Sequence, residues 1–179
     1  VQGTQVGGTG TGQGNIISGN TNSGLIIDGN GVATTSNNTI AGNIIGLDVT
    51  GSVDLGNGDS GVEIFGGATG NTVGGTTAAH RNVISGNNTY GSESTGATTS
   101  GNAIEGNYIG TDATGMLDRG NATDGVALTG GTNNNTIGGT TSGHRNIISG
   151  NDNDGIWITG TGTDNNTVQG NWIGLDAAQ

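Results

Sequence analysis

Residues 71–87 read NTVGGTTAAHRNVISGN, and residues 135–151 read NTIGGTTSGHRNIISGN, 64 positions further on. A second motif keeps the same interval: GNIIGLDVTG starts at Gly42, GNYIGTDATG at Gly106 and GNWIGLDA at Gly170. Self-similarity at a fixed period marks a stack of like units rather than one irregular globule. A finer period lies inside this long repeat. Segments of the form Gly-apolar-x-apolar begin at Gly24, Gly61, Gly125 and Gly155, with GSES at Gly91 as a degenerate member, so long and short units alternate along the chain. Each unit carries two further short apolar runs, such as NTVGG at Asn71 and NVISGN at Asn82.

These runs are too short for helices, alternate with a period of two, and end in Gly, Asn, Asp, Ser or Thr, which are strand and turn signals. The spacing predicts an all-β parallel solenoid of about five three-stranded coils with no significant helix. At about 4.8 Å per strand the column is on the order of 25 Å long. A single solenoid segment is expected over 1–179, with larger repeats at approximately 14–81, 82–145 and 146–179. The first unit's extra three residues are expected in the turn DGNGVATTSN at 28–37, because a turn can bulge into solvent without disturbing strand register.

Inward candidates form rows: Ile40, Ile104 and Val168 on one face; Ile17, Ile84 and Ile148 on a second; Val62, Val126 and Ile156 on a third. Ile45, Ile109 and Ile173 are read as a fourth row. Ser92 and Ser94 break the apolar row of the Gly-apolar-x-apolar segments, and two inward serines would leave hydroxyls seeking partners, so either that strand is distorted or its rung holds water, and it is the expected weak point. Asparagine recurs as well. Asn20, Asn87 and Asn151 close the SGN runs, and Asn43, Asn107 and Asn171 follow the glycine of the GNxIG runs. Their side chains tolerate left-handed turns and, stacked coil on coil, can bond one another as ladders.

Composition narrows the function. Forty-one glycines and no proline could describe a flexible linker, but the periodic Ile and Val argue against one. No Lys, three Arg and 14 acidic residues give a net charge of −11, so the cationic surface needed to neutralise phosphate is missing and neither nucleic acid nor an anionic membrane is an expected partner. No apolar stretch is long enough for a membrane-inserted helix. With no cysteine there is neither a disulfide framework nor a thiolate zinc site.

The motifs NTIGGTT, RNIISGN and GNYIGTDATG resemble those of right-handed parallel β-helix repeat proteins, the pectate-lyase-like superfold, and in particular long bacterial surface and secreted proteins built from such repeats. The resemblance covers nearly the whole chain. It implies a right-handed coil, but the superfold hosts polysaccharide lyases and hydrolases, tailspikes, adhesins and passive stalks, so activity must be argued from a site.

Enzymes of this superfold use acidic clusters, or calcium with a basic residue. A catalytic carboxylate pair should occur once along the column, whereas Asp48, Asp112 and Asp176 recur as a row and Asp54 corresponds to Asp118. Arg81 and Arg145 are repeat equivalents in the HRN turns beside His80 and His144, and only Arg119 is unpaired. No enzymatic activity is expected. The acidic turns offer oxygen ligands to a calcium ion, with Asp54, Asp59, Asp118, Asp124, Asp152 and Asp154 as candidates. The alternative is solvated carboxylates that keep a rod soluble, and chelation followed by a thermal melt separates the two.

Two further surface readings arise. The pairs Thr76-Thr77 and Thr140-Thr141 recur too sparsely for a flat ice-binding face. Ile44, Tyr108 and Trp172 share an outward position two coils apart, on the order of 10 Å, which favours packing on the strand surface over a sugar stripe. Neither terminus reads as a cap, so the chain is expected to belong to a longer array or to stack end to end with copies of itself. The resulting expectation is an extracellular or cell-surface bacterial stalk, fibre subunit or adhesin scaffold. A carbohydrate-binding or carbohydrate-cleaving β-helix domain is the alternative. Five N-x-T sequons begin at Asn37, Asn87, Asn121, Asn134 and Asn165, and Asn-rich turns generate such triplets without any need for glycans.

Overall fold

A computed structural model describes residues 1–31 and 35–178 as a parallel β-solenoid of about five turns. The first coil comprises β1 (Gln5–Gly7), β2 (Ile16–Ile17) and β3 (Leu25–Asp28), and the second β4 (Thr39–Ala41), β5 (Ile44–Ile45) and β6 (Val62–Phe65). The third holds β7 (Thr72–Gly74), β8 (Val83–Ile84) and β9 (Ser92–Thr95), and the fourth β10 (Ala103–Glu105), β11 (Tyr108–Ile109) and β12 (Val126–Thr129). The fifth holds β13 (Thr136–Gly138), β14 (Ile147–Ile148) and β15 (Ile156–Ile158), after which β16 (Thr167–Gln169) and β17 (Trp172–Ile173) begin another turn. The strands stack into three parallel sheets of six, six and five strands. Helix is confined to two 3-10 turns, Ala78–His80 and Ser142–His144, among the described residues. Val32, Ala33 and Thr34, within the turn expected to hold the first unit's extra residues, lie outside the described residues, as does Gln179.

Register explains how the long repeat is built. In the first sheet the inward row runs Val6, Ile40, Val73, Ile104, Ile137, Val168, each paired with the next. Ile40, Ile104 and Val168 are therefore one row, with another residue between each pair. In the second sheet the row runs Ile17, Ile45, Ile84, Ile109, Ile148, Ile173. This corrects the expectation of a fourth row: Ile45, Ile109 and Ile173 interleave with Ile17, Ile84 and Ile148 on a single sheet. The long repeat is two coils, and the coils carry their extra residues at different corners. In coils three and five the insertion, with its 3-10 turn, precedes the second-sheet strand; in coils two and four a longer loop follows it.

The interior is narrow and filled. Ile40, Ile45, Ile64, Ile84, Ile109, Leu128, Ile137 and Ile148 are fully buried, and one aliphatic cluster runs through the coils. Each such side chain contributes about 1.5–3 kcal/mol on burial. Burial falls toward the last coil, where Ile173 is 49% exposed, because a coil's inner face is covered only by its neighbours.

Asparagine completes the interior with three ladders. The first runs Asn15, Asn43, Asn82, Asn107, Asn146, Asn171, with Nδ2 of each donating to Oδ1 of the next at 2.9–3.1 Å. The second runs Asn20, Asn57, Asn87, Asn121, Asn151 at 2.8–2.9 Å, and the third Asn38, Asn71, Asn102, Asn135, Asn166 at 2.8–3.2 Å. Most rungs add a bond from the asparagine's own backbone N–H to the same Oδ1, as from Asn107 to Asn146 at 2.9 Å. The sequence reading is corrected in one respect. Among the described residues, the non-glycine positions at positive φ are Asn30, Asn37, Asn134 and Asn165, none of them a ladder member. Instead the glycine before the ladder residue, Gly42, Gly86, Gly106, Gly150 or Gly170, takes the left-handed conformation at no steric cost, and the corner so formed aims the asparagine inward.

Candidate functional site

The three outer faces differ, and the differences follow from the loops. On the second sheet the outward row runs Ile16, Ile44, Val83, Tyr108, Ile147 and Trp172, and all but the exposed Ile16 form a second apolar cluster with Leu47 and Ala177. Arg81 lies 4.0 Å from the Tyr108 ring centroid and Arg145 lies 4.4 Å from that of Trp172, a favourable cation–π placement. The loops after the second-sheet strands are hydrogen-bonded to one another, Ala113 N–H to Gly51 O and Ala177 N–H to Gly115 O, both at 2.9 Å. Arg119 ties two of these loops together by donating from Nε to the Ser52 carbonyl.

An aspartate anchors each loop. Asp112 Oδ1 accepts from Thr114 Oγ1 at 2.7 Å, Met116 N at 3.0 Å and Leu117 N at 3.1 Å, and Asp48 accepts the equivalent bonds from Thr50, Ser52 and Val53. Burial raises the Asp112 pKa, but the bonds from Thr114, Leu117 and Met116 outweigh it and hold the carboxyl below its usual range. At Asp48 the bond from the Thr50 hydroxyl leads in holding the carboxyl low. The repeated aspartates thus serve loop geometry, as do the histidines, whose Nδ1 atoms share bonds with Thr77 and Thr141 at 2.7 Å.

The third sheet carries the feature that does not repeat. Its outward row is Ile26, Glu63, Glu93, Ala127, Trp157, each in register with the next. Glu63 and Glu93 therefore stand side by side on adjacent strands, about 4.8 Å apart at the backbone. Ser23 Oγ donates to Glu63 Oε2 at 2.9 Å, and Thr129 Oγ1 donates to Glu93 Oε1 at 3.4 Å. Burial, then the charges of Glu63 and Asp59, push the Glu93 carboxyl above its usual range. Beside the pair, the Tyr90 and Trp157 rings stack with centroids 6.3 Å apart and planes 27° from parallel. Burial first, then the charges of Glu93, Asp124 and Asp59, raise the Tyr90 phenol.

The same strand breaks the pattern inward. Ser92 and Ser94 are fully buried between Val62 and Val126 and between Ile64 and Leu128, and neither hydroxyl has a partner. The strand keeps its register and is not distorted, so the expected weak rung is regular in backbone and carries two buried hydroxyls without partners. Replacing Ser94 by isoleucine is expected to stabilise the chain by up to about 1.5–3 kcal/mol, read as a raised midpoint in thermal or urea unfolding.

The six aspartates offered as calcium ligands separate into two places. Asp54 and Asp118 sit where the loops close, in antiparallel bridges to Leu47 and Thr111. Asp59, Asp124, Asp152 and Asp154 lie in the turns leading to the third sheet. There Asp59 accepts from Thr89 Oγ1 at 2.8 Å, and Asp124 accepts from Asn153 Nδ2 and Asp154 N, both at 2.8 Å. No group of three His, Asp or Glu side chains suited to a metal ion occurs among the described residues. The sequons divide too: Asn37, Asn134 and Asn165 are exposed at positive φ, whereas Asn87 and Asn121 are buried ladder members.

Sequence reasoning does not single out Glu63, Tyr90 or Trp157 as members of a site. The signal is present, since Glu63 and Glu93 occupy the same place in GVEI and GSES, the openings of two successive units. That interval is one coil, which makes them neighbours. Comparison with known protein families, curated proteins and solved structures returns no match for this chain.

Proposed function

We propose that the chain is a section of an extracellular bacterial scaffold, a stalk, fibre subunit or adhesin support of the right-handed β-helix kind. The observation that carries this reading is the continuity of the interior. Three asparagine ladders and the aliphatic rows pass from coil to coil, so one coil accepts the next through the same bonds throughout. Such a column extends by adding like coils, whether from the same polypeptide or from another copy. An acidic surface with net charge −11 opposes side-to-side clumping. Electron microscopy of the purified chain is expected to show straight short rods or end-to-end filaments, and protease treatment of intact source cells is expected to release its peptides. Round particles without a long axis, or a chain protected from protease until the cells are lysed, would contradict the proposal.

A carbohydrate-contacting reading rests on a different observation, the single grouping of Glu63 and Glu93 with Tyr90 and the 38%-exposed Trp157. Aromatic faces beside carboxylates offer sugars both stacking and hydrogen-bond acceptors. Soluble glycans that bind there should change Trp157 fluorescence, and a Trp157→Ala variant should lose the response. An unchanged emission across neutral and amino-sugar oligosaccharides would count against this reading.

A further inference from the structure

We propose that the Glu63–Glu93 pair, lying over the serine-lined rung, makes β9 an acid-tightened joint in the rod: closed when the pair holds a proton, and locally loosened when both carboxylates are charged. Three observations converge on this strand. The first is register. Glu63 and Glu93 are directly paired on parallel strands, and like charges in that arrangement destabilise a sheet.

The second observation is the distribution of positive charge. The groups acting on Glu93 are Glu63 from β6, Asp59 from the turn before it and the Thr129 hydroxyl of β12, while Tyr90 from its own coil faces Glu93, Asp59 and Asp124. The remaining in-register neighbour, on β12, is Ala127. Every cationic side chain of the protein is engaged elsewhere. Arg81 and Arg145 lie on Tyr108 and Trp172, and Arg119 binds Ser52 and Asp118. His80 is bonded to Thr77, and His144 is bonded to Thr141 and lies 3.8 Å from Glu105. The N-terminal amine reaches Thr35. A proton is therefore the neutralising cation that this chain leaves for the pair.

The third observation is the inner face. With Ser92 and Ser94 inside, β9 lacks the aliphatic anchoring that Val62 and Ile64 give β6 and Val126 and Leu128 give β12. Local opening draws on the least-anchored segments, so charge repulsion on the outer side acts where the inner side resists least.

The sign follows from linkage. A carboxyl whose pKa is raised on folding makes the folded strand bind more protons than the open one, so protection is greatest in mild acid and falls as pH rises past the usual glutamate value of 4.5. Hydrogen exchange with mass spectrometry on the intact chain tests this. Labelling at about pH 4.5 and about pH 7.5, with times scaled to equal intrinsic exchange, compares peptides covering 91–96 with an internal reference covering 125–130. Relative protection of 91–96 is expected to fall by roughly two- to fivefold at the higher pH. Glu93→Gln should hold the acid value at both pH values, and Glu63→Gln should shrink the difference without abolishing it, because burial and Asp59 still act on Glu93. Ser94→Ile should raise protection at both while keeping the ratio, which separates packing from charge. A wild-type ratio that does not change with pH, or a ratio that persists in both glutamine variants, would overturn the proposal.

Discussion

Asn107→Leu is expected to cost roughly 3–6 kcal/mol, because two or more buried polar groups lose their partners at about 1–3 kcal/mol each. Asn107 Oδ1 accepts from both the backbone N–H and Nδ2 of Asn82, at 3.2 and 2.9 Å, and its Nδ2 donates to the Val73 carbonyl at 2.9 Å. Leucine fills much the same volume and supplies neither function, while the site stays closed to water because Asn82 and Asn107 are fully buried. Set against the roughly 5–15 kcal/mol of a typical domain, the loss should lower the melting temperature by about 10–20 °C. It should also uncouple the coils on either side, since each coil is held mainly by its neighbours. Circular dichroism melts of the variant and of Asn88→Ala, whose side chain is exposed and whose backbone is not left-handed, provide the comparison. A midpoint for Asn107→Leu within two degrees of the parent would show the ladder to be ornament.

Ile148→Asp is expected to have the larger effect and to unfold coils four and five at neutral pH. Ile148 is fully buried between Ile109 and Ile173, and its Cγ2 lies so close to the backbone that a Cβ placed on Gly125 would meet it at 2.5 Å. A carboxylate there would lose its hydration with no cation in reach, a cost that buried charges avoid only by pairing or by taking up a proton. The variant should therefore recover part of its structure as pH falls. Ile148→Val, which removes one methylene from the same place, should cost only about 0.5–1.5 kcal/mol. Ile173→Asp tests the geometry of the argument: the same substitution in the same row, at a position half exposed, should be far milder. Limited proteolysis across 106–158, followed by peptide mapping, distinguishes local from global unfolding. An Ile148→Asp chain as resistant as its parent would contradict the burial assigned to this row.

Periodicity, strand length and turn chemistry are legible from the chain alone, because short alternating runs between glycine-rich corners admit one kind of column. So is the defect at Ser92 and Ser94, since a polar pair in an aliphatic position shows up against its own repeats. Ile40, Ile104 and Val168 can be placed on one face because they recur at the long period with the same flanks.

Tertiary structure decides which equivalent residues are one coil apart and which are two. Insertions alternate between corners, so the chain takes a short path from Ile84 to Ile109 and a much longer one from Ile109 to Ile148, although each pair is adjacent in space. Linear spacing splits that one row into two and hides the members that complete each asparagine ladder. It also conceals that Glu63 and Glu93 stand on neighbouring strands while Asp48 and Asp112 belong to loops two coils apart. The physical reason is that hydrogen bonding between parallel strands, rather than residue number, sets what lies about 4.8 Å away, and loops of different length can join strands held in the same register.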